Sequence, residues 1–212
     1  MKHTILAGAL AGSLFVPLAL PDASGGAPQD PKKEAPAHGQ GGGDMAAMMA
    51  KAAKFIQPGP QHKALERFLG RWNTETRVFM AGQATPPDKG TAEVTWQIEG
   101  RWLLSKAQGR MMGMPISSCA WIGYDNFKMS YVVTMVSSMD TAMTRSEGDM
   151  TQDGKSLITY GTLDEYLTGE HDKMVKYVWR FLSDDEIVLE VHDLPIGEVN
   201  TKVVEMRYVR AK

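Results

Sequence analysis

Lys173-Met174-Val175-Lys176-Tyr177-Val178-Trp179-Arg180-Phe181-Leu182-Ser183 decides the fold. Val175, Tyr177, Trp179 and Phe181 fall on alternate positions, with Met174, Lys176, Val178 and Arg180 between them. A period of two places the first set on one face of a β-strand and the second on the other. The face that carries two aromatic rings and a tyrosine is the one to bury. Read outward from this stretch, the same period recurs in extended runs at 72–80, 91–99, 101–110, 115–124, 127–137, 141–149, 155–163, 173–183, 185–193 and 199–209.

Short turns separate these runs: Glu99-Gly100, Asp125-Asn126, Asp153-Gly154, Thr168-Gly169, Asp184-Asp185 and Pro195-Ile196-Gly197. Asp-Gly suits the positive φ that a tight hairpin demands. Connections this short join only antiparallel neighbours, and no gap is long enough for a crossover helix. The expected fold is therefore all-β: a single antiparallel up-and-down barrel of about ten strands, preceded by a short N-terminal helix. In an even-numbered meander the first and last strands run in opposite directions, so they can pair and remove both edges. Closure brings Trp72 beside Arg207 or Arg210, where a guanidinium stacked on the indole would fasten the end.

The helix at the entrance is His62–Leu69, with Leu65, Phe68 and Leu69 at helical spacing and Gly70 as its stop. Upstream lies a different kind of sequence. Met1-Lys2-His3 and the uncharged, apolar Thr4–Leu20 outline a secretory signal peptide over 1–23, which predicts a secreted or periplasmic protein with no stable membrane span after cleavage. Pro21–Asp44 holds no large apolar residue, so 24–57 reads as a disordered tether with a short helix at 45–56 capped by Asp44. Met45, Met48 and Met49 there invite a copper(I) reading, because thioethers suit that ion, but methionines on an alanine-rich helix are read first as packed or exposed surface. All aromatic residues except Phe15 and Phe55 lie in the barrel domain, 58–212.

Several functions are excluded by composition. With 23 Lys plus Arg against 25 Asp plus Glu, the net charge of -2 offers no basic excess for nucleic acid. One cysteine, Cys119, allows neither an internal disulfide nor a thiolate cluster.

Gly70-Arg71-Trp72 after a short helix, with an Arg closing the last strand, resembles the structural signature of lipocalins and the wider calycin superfamily. Pro58-Gly59-Pro60 with His62 and Leu65, Gly100-Arg101-Trp102-Leu103, Met112-Gly113-Met114-Pro115, Gly123-Tyr124-Asp125-Asn126, Ser146-Glu147-Gly148 and Leu167-Thr168-Gly169 extend the likeness. Together they resemble a secreted bacterial family, a domain of unknown function with a lipocalin-like barrel. Asn73 and Glu99 depart from its pattern, where an acid and a second Gly are common. The resemblance implies fold and export; it brings no activity, cofactor or catalytic residue.

A barrel of this size holds either packed side chains or one small ligand. The candidate pocket is Trp96, Met129, Tyr131, Tyr177, Trp179, Met143 and Arg145, with Gly70, Trp72, Arg207 and Arg210 as structural signature. Aromatic and methionine lining suits a small apolar ligand. Met129 is placed on one strand face with Phe127, Tyr131 and Met135, and the Met111–Pro115 segment is read as a lip over one mouth. Arg145 and Glu147 share a face; inside they would orient a polar group, outside they would be a solvated pair. Catalytic readings are thin: Glu190 and His192 share a face that Asp193 does not, and His62 and His192 make no multi-histidine site. No metal or cofactor is expected. The expectation is a binding module rather than an enzyme, with a solid-cored partner-binding module and a small-substrate enzyme as alternatives.

Overall fold

Why the chain closes on itself is visible strand by strand. In the computed structural model, which describes residues 41–80, 82–165, 169–194 and 201–212, the elements are α1 (Gly41–Ile56), α2 (Pro60–Ala64), a 3-10 turn (Leu65–Phe68), β1 (Gly70–Met80), β2 (Gln83–Ala84), β3 (Asp88–Ile98), β4 (Trp102–Met111), β5 (Met114–Asp125), β6 (Ser130–Ser137), β7 (Met143–Met150), β8 (Ser156–Glu165), β9 (Glu170–Ser183), β10 (Glu186–Asp193) and β11 (Thr201–Arg210). Each long strand pairs antiparallel with the next, and β11 pairs with β1, so ten strands form a closed barrel; β2 adds only a two-residue ladder to the end of β1. Gly42–Lys212 form one unit. The signal-peptide stretch 1–23, the tether to residue 40 and the Pro195-Ile196-Gly197 turn lie outside the described residues.

Turn chemistry sets the boundaries. Gly100 and Gly154 take φ of +64° and +65°, the left-handed region their turns require. The Met111–Pro115 segment is a tight turn at one end of the barrel: Met111 pairs with Met114, and Met112 and Gly113, both at positive φ, make a two-residue hairpin. Strand β6 starts at Ser130, not at 127, because Asp125 Oδ1 accepts the N–H groups of Phe127 and Lys128 at 2.8 and 3.1 Å and holds the intervening residues in a turn. The helix expected from Asp44 starts earlier, at Gly41.

Register around the ring closes with Trp72 opposite Arg210. The Arg210 guanidinium lies 4.2 Å over the Trp72 ring, and it donates to Leu69 O at 2.8 Å and to the Asp185 carboxylate at 2.9 Å. Gly70, at φ +122°, leaves the room: a Cβ there would come within 2.4 Å of the guanidinium. Arg207 is not the stacking partner, because its place in the alternation puts it on the outer surface, 2.7 Å from Glu186.

Beneath the closed end, α2 and the 3-10 turn form a plug. Leu65 and Phe68 are buried, and Phe68 meets Phe181 and Trp179 edge-on at 5.0 and 5.3 Å. The Tyr131 hydroxyl donates to Gln61 O at 3.1 Å. Asn126 reaches past its own turn to donate to Phe55 O and Gln57 O at the end of α1. Outward positions of β1 are Arg71, Asn73, Glu75 and Arg77, the opposite of the apolar band of a membrane barrel. Among the described residues no helix is long and apolar enough to cross a membrane.

Candidate ligand-binding site

The register fixes which side chains face the interior. Trp72 pairs with Ala92, Ala92 with Ala107, Ala107 with Ser118 and Ser118 with Ser137, and paired residues share a face. Near the plug the interior is filled: Trp72, Leu103, Ile122 and Leu157 are fully buried. A void of about 10 Å3 remains there among Phe68, Trp72, Ser105, Ile122, Trp179 and Tyr208, about the space of one water.

Toward the other end the lining changes. Gly90, Ala107, Gly109, Ser118 and Ala120 all face inward and cannot fill the space they border. Ala107, Ser118, Ala120, Val191, Val204 and Met206 are partly exposed although they point into a closed ring, so solvent reaches them from the end away from the plug, the open end, which no helix covers among the described residues. A void of about 30 Å3 lies here, lined by Thr74, Thr76, Ala107, Met111, Ile116, Ser118 and Met206. The β8–β9 wall is tighter, with Thr159 and Val175 fully buried and the Ser146 and Thr159 hydroxyls bonded at 2.9 Å. The Tyr177 hydroxyl shares a hydrogen bond with Thr144, and burial raises its pKa, which keeps it a neutral phenol. At the rim Lys173 and Asp193 pair at 3.0 Å, and that carboxylate raises the lysine's pKa.

Of the residues proposed from sequence, Trp96, Tyr131, Tyr177 and Trp179 face inward: Tyr131 and Trp179 sit by the plug, Trp96 packs against the same core, and Tyr177 stands in the open half. Met129, Met143 and Arg145 do not face inward. Met129 sits at φ 55° in the turn before β6 and is 70% exposed. Met143 and Arg145 share the outer face of β7, where Met143 is 65% exposed and Arg145 bonds Glu147 at 2.6 Å. Glu147 is held below its ordinary carboxylate pKa by its hydrogen bonds to Lys128 and Arg145. The lining that sequence reasoning missed is the small one. Its signal was the alternation Ser105, Ala107, Gly109, which marks a face with nothing to pack.

The two histidines weighed as possible ligands, His62 and His192, lie in separate surroundings. His62 is a satisfied histidine: Nδ1 accepts the Gly59 N–H at 3.1 Å, which leaves the other ring nitrogen to donate to the Tyr124 backbone, and Tyr124 meets the ring edge-on. Burial lowers its pKa from 6.5. The unfolded chain then binds a proton that the folded chain refuses, so this contribution to stability is complete above about pH 6.5 and is lost as pH falls toward the lower folded value. Urea midpoints should accordingly drop between pH 7.5 and 5.5, and the drop should be smaller in His62→Gln; equal slopes in both proteins would remove His62 from the account. His192 lies with Glu190 on the outer face, in a network with Arg180 and Lys202. Among the described residues no group of three or more His, Cys, Asp or Glu side chains could hold a metal ion.

Residues 57–210 match the family model described as "Protein of unknown function (DUF1579)". The chain belongs to the DUF1579 family. Its barrel is similar to Rv2717c from M. tuberculosis, at 14% identity and TM-score 0.49 over 74% of this chain and 100% of that one. It is also similar to the S-type phycobiliprotein lyase CPES from Guillardia theta, at 12% identity and TM-score 0.49 over 75% and 96%. A redesigned β-barrel aligns at 13% identity and TM-score 0.36 over 70% and 96%. No curated protein matches the DUF1579 chain. Of the quoted motifs, Pro58–Pro60, Gly70–Trp72, Gly100–Trp102 and Gly123–Asn126 gather at the plugged end of this DUF1579 barrel, whereas Met112–Pro115 makes the β4–β5 hairpin at the open end.

Proposed function

We propose that this DUF1579 protein is an exported, non-enzymatic binding module that takes a small, largely apolar ligand through the open end of its barrel. The observation that carries the reading is the asymmetry of the interior: one end sealed by aromatic rings, the other lined by small inward side chains that solvent touches. The void of about 30 Å3 is far below the roughly 300–1,000 Å3 of ordinary ligand pockets. A ligand therefore enters by displacing water from the open half and by moving Met111 and Met206, whose unbranched chains adapt at little cost. The hydroxyls of Ser118, Thr144 and Tyr177 give such a ligand a few polar contacts. The apolar stretch Thr4–Leu20 supports export to the periplasm or beyond.

Native mass spectrometry of the protein taken from its own envelope fraction should show an extra mass that denaturation removes. Filling the open half with Ala107→Phe plus Ser118→Phe should reduce uptake of that ligand, or of an apolar fluorescent probe, at least tenfold. An apo mass together with equal probe uptake by the filled variant would overturn the reading and turn attention to Met112 and Met114, which stand exposed at the rim.

A further inference from the structure

The methionines of α1 have no place in the barrel's account. Met45, Met48 and Met49 are 55%, 55% and 51% exposed, so they do not serve as packing. Among the described residues the helix is held at its far end: Arg101 donates to Ile56 O, Asn126 to Phe55 O and Gln57 O, and the Phe55 and Phe127 rings lie 5.2 Å apart. At about 100° per residue, Met48 and Met49 flank the line of Met45 one turn on, so the three thioethers occupy one arc of about 100°. Positions three and four apart are surface neighbours with Cβ atoms about 5–6 Å apart, and three rotatable bonds per side chain let the sulfurs meet.

We propose that Met45, Met48 and Met49 form a thioether site for a soft monovalent ion of the copper(I) class. The choice of ion follows from what the segment lacks. Residues 45–56 contain no Asp, Glu, His or Cys, and Asp44 is the only such side chain in α1; one carboxylate is too few oxygens for a hard cation, whereas three thioethers select copper(I). Lys51 and Lys54 on the same helix further disfavour a dication. The site is independent of the barrel interior and stands or falls apart from the ligand reading above.

The test uses the full chain carrying Cys119→Ser, so that the thiol does not compete, under anaerobic conditions. Copper(I) is titrated against a bicinchoninate competitor, and silver(I), which does not change oxidation state, is followed through the methionine methyl resonances. The expected result is one equivalent bound, with shifts at Met45, Met48 and Met49. Met45→Leu/Met48→Leu/Met49→Leu, which keeps helix propensity and apolar bulk, should weaken binding at least tenfold with unchanged circular dichroism. Absence of binding by the parent, equal affinity in the triple variant, or shifts confined to other methionines would each overturn the proposal.

Discussion

Trp72→Ala is expected to lower the stability of the barrel by about 3–5 kcal/mol, the cost of truncating a fully buried aromatic residue. Trp72 is 1% exposed and lies where the first strand meets the last. Its Nε1–H donates to Phe68 O at 2.9 Å, its face carries the Arg210 guanidinium, and its edge meets Tyr208 at 6.5 Å between centroids. Truncation adds the indole's volume to a void already beside it and leaves the Phe68 carbonyl without its donor. Trp72→Phe keeps an aromatic face for Arg210 and should fall between wild type and alanine. Urea unfolding at constant m-value measures both; a loss below about 1 kcal/mol for alanine would mean that β1 and β11 close without this contact.

Much of this was legible in the sequence, and the reasons are local. The stretch 173–183 largely follows its alternation in the structure, with Val175 and Phe181 buried and Arg180 and Leu182 exposed, except that Val178, read on the other face, is also buried. Ten extended runs became ten barrel strands because each turn carried its own chemistry, as at Gly100 and Gly154. Errors came where a side chain overrode the pattern. Phe127 and Met129 continue the apolar alternation of β6, yet the Asp125 carboxylate captures two backbone N–H groups and ends the pairing before they can join it. Arg210 could not be told from Arg207 by spacing, since that choice depends on the exact register between the two most distant strands.

The interior was harder to read, because a cavity is made by what is absent. Sequence reasoning is drawn to aromatic and methionine residues. In this barrel Tyr131 and Trp179 belong to the filled end, and Met129 and Met143 lie outside. The open half is written in Ala107, Gly109, Ser118 and Ala120, which look like unremarkable strand residues until the register sets Ala107 opposite Ser118 and puts all four on the inner face. Which end is open depends on where α2 docks, and that is a long-range contact with no local signal.

Gly148→Ala is expected to cost more than about 3 kcal/mol, above the usual overpacking range, although it adds a single methyl group. Gly148 faces inward on β7, where a Cβ would lie 2.0 Å from Ile158 O and 2.8 Å from Thr159 Cα. Both obstacles are backbone of the paired strand, so no side chain can swing aside. Moving β8 away would break the Gly148–Thr159 pairing and the buried Ser146–Thr159 hydroxyl bond. On the same wall Gly161 would bring a Cβ within 2.2 Å of Arg145 O, which marks a sharp bend shared by both strands. Gly154→Ala is the comparison: nothing lies within 4 Å of its Cβ, and its φ of +65° costs only about 1 kcal/mol. If urea unfolding gives the two variants equal losses, the β7–β8 corner yields to a methyl group, and the tight packing of that wall is then not a fixed boundary of the interior. If Gly148→Ala is much the worse, the corner is rigid, and space for a ligand must come from the methionines on the opposite side.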